Sequence, residues 1–305
     1  MEEQAVPSRR KCGAAAAYFL AVEAQPAYRQ RQRELEARTA QRMALGPEAL
    51  APEAPITIPV VVHVVYNDDS ENIPDGQIQS QITVLNQDYG AENADKANVP
   101  EVWEALVTDT NIRFVLASED PAGNSTPGIT RTQTNRTGFG INDTVKSADT
   151  GGADPWPTDR YLNMWACTLD GGLLGYAQFP GGPPETDGVV ILNTAFGTTG
   201  TAAAPFDLGR TATHEVGHFF NLYHIWGLSD DCTGGDRVSD TPNAEGPNYG
   251  EPNFPQISCN NSPYGDMYMN YMDYVDDRAM CMFTAQLVAR MMATLDGPRS
   301  GLGQS

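Results

Sequence analysis

Three of the four histidines in this 305-residue chain fall in one short run, His214-Glu215-Val216-Gly217-His218-Phe219-Phe220-Asn221-Leu222-Tyr223-His224. Residues four apart on an α-helix project from one face about one turn apart, so His214 and His218 can bring ring nitrogens to one zinc ion. Glu215 lies beside them, positioned to take a proton from a water activated at the metal. A straight helix would carry residue 224 away from that point, so the chain must turn sharply before His224 can complete the set. Asn221 stands at the turning point, and asparagine is the non-glycine residue that best tolerates a left-handed backbone. An H-E-x-x-H pair alone is moderate evidence for zinc; the third histidine at this interval makes it strong. His63, alone in an apolar strand, reads instead as a hydrogen-bonded structural histidine.

The rest of the chain supplies a frame for such a helix. Residues 14–45, rich in Ala, Leu, Glu, Arg and Gln, read as helix, interrupted at Pro26 where the missing N–H and the ring oppose continuation. The Pro- and Ala-rich stretch 46–55 suits neither helix nor strand and reads as a linker, so residues 1–50 form a helical arm and 51–305 one substantial domain. The β-branched run 56–66 predicts a strand buried on both faces, and Ile78, Ile82 and Leu85 set a helical period over 76–89. Further strands are predicted at 111–118, 160–167 and 188–194, with an edge strand over 175–180 where an extended peptide could pair. The stretch 119–159 reads as irregular, a helix is predicted over 211–222, and turn-formers dominate from there to about residue 283. Thr284 is the expected N-cap of a last helix to Leu295, with Leu287, Val288, Met291 and Leu295 on one face. The sum is an α+β fold. A twisted mixed sheet of four or five strands, with backing and active-site helices, fills 51–224; an irregular subdomain, 225–305, ends in a helix.

Charge is unevenly spread over the net −20. Residues 1–42 carry eight basic and five acidic side chains and are net +3, the remainder net −23. An acidic surface repels nucleic acid and anionic membrane, and it suits cations such as calcium and basic peptides. No run of 18 apolar residues occurs, so no helix is expected to span a membrane. Arg9, Arg10 and Lys11 before the apolar stretch 14–24 imitate a secretory leader, but Glu23 interrupts it; the true leader is expected to have been removed, with Met1 an introduced start.

With Asn270-Tyr271-Met272-Asp273-Tyr274 downstream of the histidines, the sequence resembles the pappalysin family of metzincin zinc metallopeptidases over nearly its whole length. The resemblance implies that Met272 forms the Met-turn, a hydrophobic floor beneath the metal, and that Tyr274 donates a hydrogen bond to the oxyanion. Asn221 stands where the family often has glycine. Asp277 matches the acid in the pocket for the side chain after the scissile bond, which implies cleavage on the amino side of Arg or Lys; Asp276 could exchange roles with it. Residues 235–242 look like the family's calcium loop, with Asp236, Asp240, Thr241 and the Val238 carbonyl as ligands. Cys232 and Cys259 match one family disulfide, whereas the positions of a second are Glu251 and Ala279, so Cys167 and Cys281 are expected as free, buried thiols. Arg10-Lys11-Cys12-Gly13 resembles the cysteine switch of metzincin zymogens, in which a thiolate holds the zinc position that water needs until the segment leaves. The basic arm would then be an intramolecular inhibitor of the acidic domain.

The expectation is a secreted, latent zinc endopeptidase acting on peptides or proteins, with Glu215 as general base and activation by self-cleavage, for instance before Arg38 or Arg42. A zinc-binding protein that keeps this fold without turnover is the alternative, and a non-peptide amidohydrolase a third reading. Neither nucleic acid nor membrane is an expected partner.

Overall fold

The computed structural model describes residues 6–44 and 54–303. Its organising strand is β1, Ile56–Tyr66, whose residues from Val60 to Val65 are all buried, as a β-branched run without alternation requires. Three strands pair with it in parallel. β2, Ile112–Leu116, runs beside its first half and β3, Ile129–Gln133, beside its second half, both on the same side; β4, Leu162–Cys167, covers the other. β6, Val189–Leu192, follows β4 in parallel, and β5, Gly175–Ala177, closes the sheet antiparallel to β6. The sheet is mixed, with β5 at its edge.

The six strands exceed the expected four or five because β2 and β3 share one position end to end along β1. β3 falls in the stretch read as irregular. Its Thr130, Arg131, Thr132 and Gln133 offer no apolar alternation, so main-chain pairing with β1 holds it, helped by the Thr130 hydroxyl on His63 and by Arg131 on Asp75. The edge strand is also shorter than the predicted 175–180.

Both faces of the sheet are covered. Helix α3, Asp75–Tyr89, and helix α5, Arg210–Phe219, pack on one face, where Ile78, Leu85, Ala212 and Val216 join Val60, Val62 and Met164. The opposite face, with Val65, Trp165 and Val190, is covered by Phe139, Val145 and Ala153 from the largely irregular stretch. A short helix, α4, spans Glu101–Glu104. Beyond α5 the chain has little regular structure until α6, Ala285–Leu295, whose N-cap Thr284 accepts from the Leu287 N–H.

The N-terminal arm is two helices, α1 (Ala14–Ala24) and α2 (Pro26–Met43), broken at Gln25 as Pro26 requires. α2 lies along α6, and the arm buries Ala14, Val22 and Tyr28 against Phe179 and Tyr223. Most of the expected linker, residues 46–53, lies outside the described residues. Cys232 and Cys259 are joined, with Cα atoms 5.2 Å apart, while Cys167 and Cys281 are free and buried, all as the resemblance implied.

Candidate active site

Helix α5 is anchored before it reaches the histidines. Gly209, at φ 74°, starts it; the Thr213 hydroxyl donates to Asp88 Oδ2 at 2.7 Å and the Tyr89 hydroxyl to the Thr213 carbonyl at 3.2 Å, both partners on α3. The helix stops at Phe219, short of the expected residue 222, because Asn221 takes φ 72°, the left-handed turn its side chain tolerates. The Asn221 carbonyl is held by Arg290 of α6 at 3.1 Å. This reversal brings His224 back, and its ring stacks on Trp226 at 4.5 Å and 9°.

The three imidazoles converge. His218 Nε2 lies 3.1 Å from His214 Nε2 and 3.0 Å from His224 Nε2. His214 Nδ1 donates to the Tyr271 carbonyl and His218 Nδ1 to the Leu222 carbonyl, each at 2.7 Å, so in the neutral rings both Nε2 atoms carry lone pairs. Burial first, and then in His214 and His224 the neighbouring His218, push these rings toward neutrality, His218 to about 4. Lone pairs at such separations repel unless a cation lies between them, and tetrahedral zinc with Zn–N of ~2.0–2.1 Å fits this spacing. The donor set therefore fits zinc.

Below the cluster, Met272 is fully buried. A Cβ on Gly217 would come within 2.5 Å of its Sδ, so any larger residue before His218 would push this floor aside. Glu215 is buried against β5, and a Cβ on Gly175 would meet its Cγ at 2.8 Å. Burial raises the Glu215 carboxyl to about 8, against the lowering effects of a hydrogen bond from Cys12 and the charge of Arg10. The Tyr274 ring is 4.8 Å from that of His224, and its hydroxyl donates to the Cys12 carbonyl at 3.4 Å.

The arm fills this cleft. Gly13 N–H donates to the Gly175 carbonyl at 2.8 Å and Leu174 N–H to the Lys11 carbonyl at 3.0 Å, so residues 11–13 extend the sheet, parallel to β5. Cys12 Sγ donates to Glu215 Oε2 at 3.4 Å, and Sγ and the three Nε2 atoms all lie within 4.8 Å of one another. Burial, then the Glu215 charge, holds this thiol protonated; a cation among the imidazoles would favour its thiolate. Arg10 enters a closed pocket. Its Nη2 donates to Asp277 Oδ1 at 2.6 Å, its Nε to the Val275 carbonyl and its Nη1 to Thr211 Oγ1, each at 3.1 Å. Asp277 is fully buried, whereas Asp276 is half-buried and the guanidinium pairs with Asp277.

The proposed calcium ligands split. Asp236 is buried and accepts from Thr241 Oγ1 at 2.6 Å and the Val238 N–H at 3.2 Å; burial raises its carboxyl to about 7. Asp240 accepts from Thr284 Oγ1 and Gln286 N–H, each at 2.9 Å, so its carboxylate serves the start of α6.

Relatives agree with this geometry. Residues 146–296 match the family model described as pregnancy-associated plasma protein-A. An extracellular metalloprotease of Arthroderma otae is 34% identical over 268 residues, 85% of each chain. The chain belongs to the pappalysin family. Among solved pappalysin structures, a Tannerella forsythia promirolysin mutant is 46% identical, with a TM-score of 0.89 over 96% of both chains. Mature mirolysin in complex with a cleaved peptide is 50% identical, with a TM-score of 0.81, covering 83% of this chain and 97% of that one. This pappalysin is accordingly a metalloendopeptidase whose family implies a catalytic zinc, and its three converging imidazoles suit that ion.

Of the residues the sequence singles out, the fold brings together His214, Glu215, His218, His224, Met272, Tyr274 and Cys12, with Asp277 in the pocket that Arg10 fills. Sequence reasoning missed the partnership of Arg10 with Asp277, Trp226 behind His224, and Glu36 of α2 on Arg290. The stacked Trp226, two residues after His224, was the most accessible of these from the sequence; the others join residues 267 and 254 positions apart.

Proposed function

We propose that this chain is a latent, secreted endopeptidase that hydrolyses peptide bonds on the amino side of Arg or Lys. The observation that carries the reading is Arg10, a basic side chain of the chain itself, seated on buried Asp277 beside the metal cluster. A guanidinium sealed with a carboxylate and two further acceptors is the recognition a basic substrate residue would need. Residues 1–50 are the pro-segment and 51–305 the catalytic domain, divided at residue 224. The mature mirolysin match, covering less of this chain than the promirolysin match, supports that division. Secretion is supported by relatives named extracellular metalloproteases and by the disulfide.

His214, His218 and His224 would hold zinc, with Cys12 the fourth ligand in the latent form. When bound, zinc acts as a Lewis acid toward the scissile carbonyl and lowers the pKa of water. Glu215 takes the proton of the attacking water and passes it to the leaving amine nitrogen. Tyr274 donates from its hydroxyl to the oxygen that gains negative charge; that hydroxyl already meets a carbonyl, Cys12 O, of the seated arm. The substrate lies extended on β5, where residues 11–13 now pair. Asp236, Thr241, the Val238 carbonyl and Asp240, whose oxygens keep free lone pairs beside their bonds to Thr284 and Gln286, would hold a calcium ion and tie down the 235–242 loop. Self-cleavage before Arg38 or Arg42 requires α2 to open, since both lie in that helix.

The test uses processed enzyme and peptides that differ only in the residue after the scissile bond. Arg and Lys should exceed Leu and Gln by roughly 100-fold in kcat/KM, and Asp277→Asn should remove most of that preference. Equal cleavage of all the peptides would refute the specificity.

A further inference from the structure

A second charged side chain of the arm is held as carefully as Arg10. Glu36 of α2 sits in a cradle made wholly by residues outside the arm. Its Oε1 accepts from Arg290 Nη2 at 2.7 Å, Asn221 Nδ2 at 2.9 Å and the Tyr223 hydroxyl at 3.4 Å. Its Oε2 pairs with Arg237 Nη1 at 2.8 Å and accepts from Arg290 Nη1 at 3.3 Å. Part of the cradle is held without the arm. Arg290 is buried and fixed on the Asn221 carbonyl, and the guanidinium groups of Arg237 and Arg290 both stand over the Tyr223 ring, at 4.9 and 5.3 Å. Losing the arm would leave the two guanidinium groups and the two neutral donors without this carboxylate.

The location is informative. Residues 11–13 run parallel to β5, with Arg10 at the Asp277 end; past Gly13 the arm moves toward Phe179, where Tyr18 packs at 5.3 Å between ring centres. The cradle lies beyond that end. From His218 the rings step 5.2 Å to Phe179 and 5.4 Å to Tyr223, and Arg237 is 4.9 Å further. That path is no longer than about five extended residues at ~3.3 Å each. If Asp277 receives the residue after the scissile bond, the cradle faces the residues before it.

We infer that the Arg237–Arg290–Asn221–Tyr223 cradle is a substrate subsite for a carboxylate side chain three to five residues before the scissile bond, occupied in the latent chain by Glu36. The inference rests on the proposed role of Asp277. It makes the arm a substrate mimic at two points of opposite charge, and it makes the preferred substrates segments with an acidic residue shortly before a basic one.

The test uses the processed enzyme and neutral peptides with one Arg after the scissile bond, in which Glu, Gln or Lys is moved through the third to sixth positions before it. One position should favour Glu over Gln by roughly 5- to 30-fold in kcat/KM, and Lys should be poorest there. In Arg237→Gln the Glu-to-Gln ratio should fall toward one, and in Arg237→Glu Lys should become the best. A ratio within one variant cancels changes in overall activity, and Arg237 is preferred to Arg290 because the latter also holds the Asn221 turn. Equal cleavage of Glu and Gln peptides at every position, still before Arg, overturns the subsite and leaves Asp277 standing. An unaltered Glu preference in Arg237→Glu also overturns it. Cleavage indifferent to Arg refutes the reading of Asp277 instead, and no cleavage of any peptide refutes both.

Discussion

Arg10 Nη2 lies 2.6 Å from Asp277 Oδ1, with 1% of the first side chain and none of the second exposed. Asp277 has two other donors, the N–H groups of Leu208 at 2.8 Å and Arg210 at 3.3 Å, so Arg10 completes a carboxylate that the catalytic part had already shaped. Removing one member of a buried pair costs about 3–5 kcal/mol, since the other is left uncompensated. Arg10→Ala should therefore loosen the arm by a large factor. In a Glu215→Ala background, which removes self-cleavage, the rate at which a second protease cuts residues 29–42 should rise at least tenfold. An unchanged rate would mean that the pair does not hold the arm.

Gly217→Ala should damage the metal site through packing. The new methyl would come within 2.5 Å of Met272 Sδ, and Leu222 Cδ1 is 3.5 Å away, so Met272 must move. Overpacking of this kind costs about 1–3 kcal/mol, and the displaced floor should lower zinc content as well. Denaturant unfolding with metal analysis checks both.

His63 should make the fold acid-labile. Its Nε2 lies 2.9 Å from Asn163 Oδ1 and its Nδ1 2.8 Å from the Thr130 hydroxyl; Asn163 spends its N–H groups on Trp156 and Tyr161, so Nε2 is the donor and Nδ1 the acceptor. Burial lowers the ring to about 4, against a weaker raising effect of the Asn163 hydrogen bond. The unfolded chain then binds the extra proton between that value and ~6.5, so stability is full above ~6.5 and lost as pH falls toward 4. In Glu215→Ala protein, His63→Gln should shrink the stability difference between pH 7 and pH 4.5 by about 2 kcal/mol, read from urea midpoints. An unaltered difference would contradict the neutral ring.

Chelation should both inactivate and destabilise. The Nε2 lone pairs of His214 and His218 face each other 3.1 Å apart, an arrangement that a cation relieves. Metal removal should lower Tm by several degrees, and added zinc should restore Tm and activity together. Retention of both in excess chelator would rule out the three-histidine site.

Much of this site was legible because its logic is local. His214 and His218 share a helix face, and Asn221 at φ 72° supplies the turn that returns His224, all within one run of sequence. The strands with β-branched or apolar runs, such as 56–66, were equally plain. β3 was not, because Thr130 to Gln133 pair through backbone and carry no apolar pattern. Asp240 was only partly legible for a related reason: its carboxylate also accepts from Thr284 and Gln286, which only the fold brings near. Arg10 was legible only as part of the Arg10-Lys11-Cys12-Gly13 motif, and Glu36 only as one more charge of the arm. Their partners lie more than 200 residues away, and no periodicity encodes such a contact.

The most direct test of the central claim, that this chain is a latent peptidase whose arm is its own first substrate, follows intact mass and N-terminal sequence in zinc and calcium, beside Glu215→Ala. The native chain should shorten from 33.0 kDa by cuts before Arg or Lys in the arm while Glu215→Ala keeps its full mass. The same masses in both chains at every time would contradict the account.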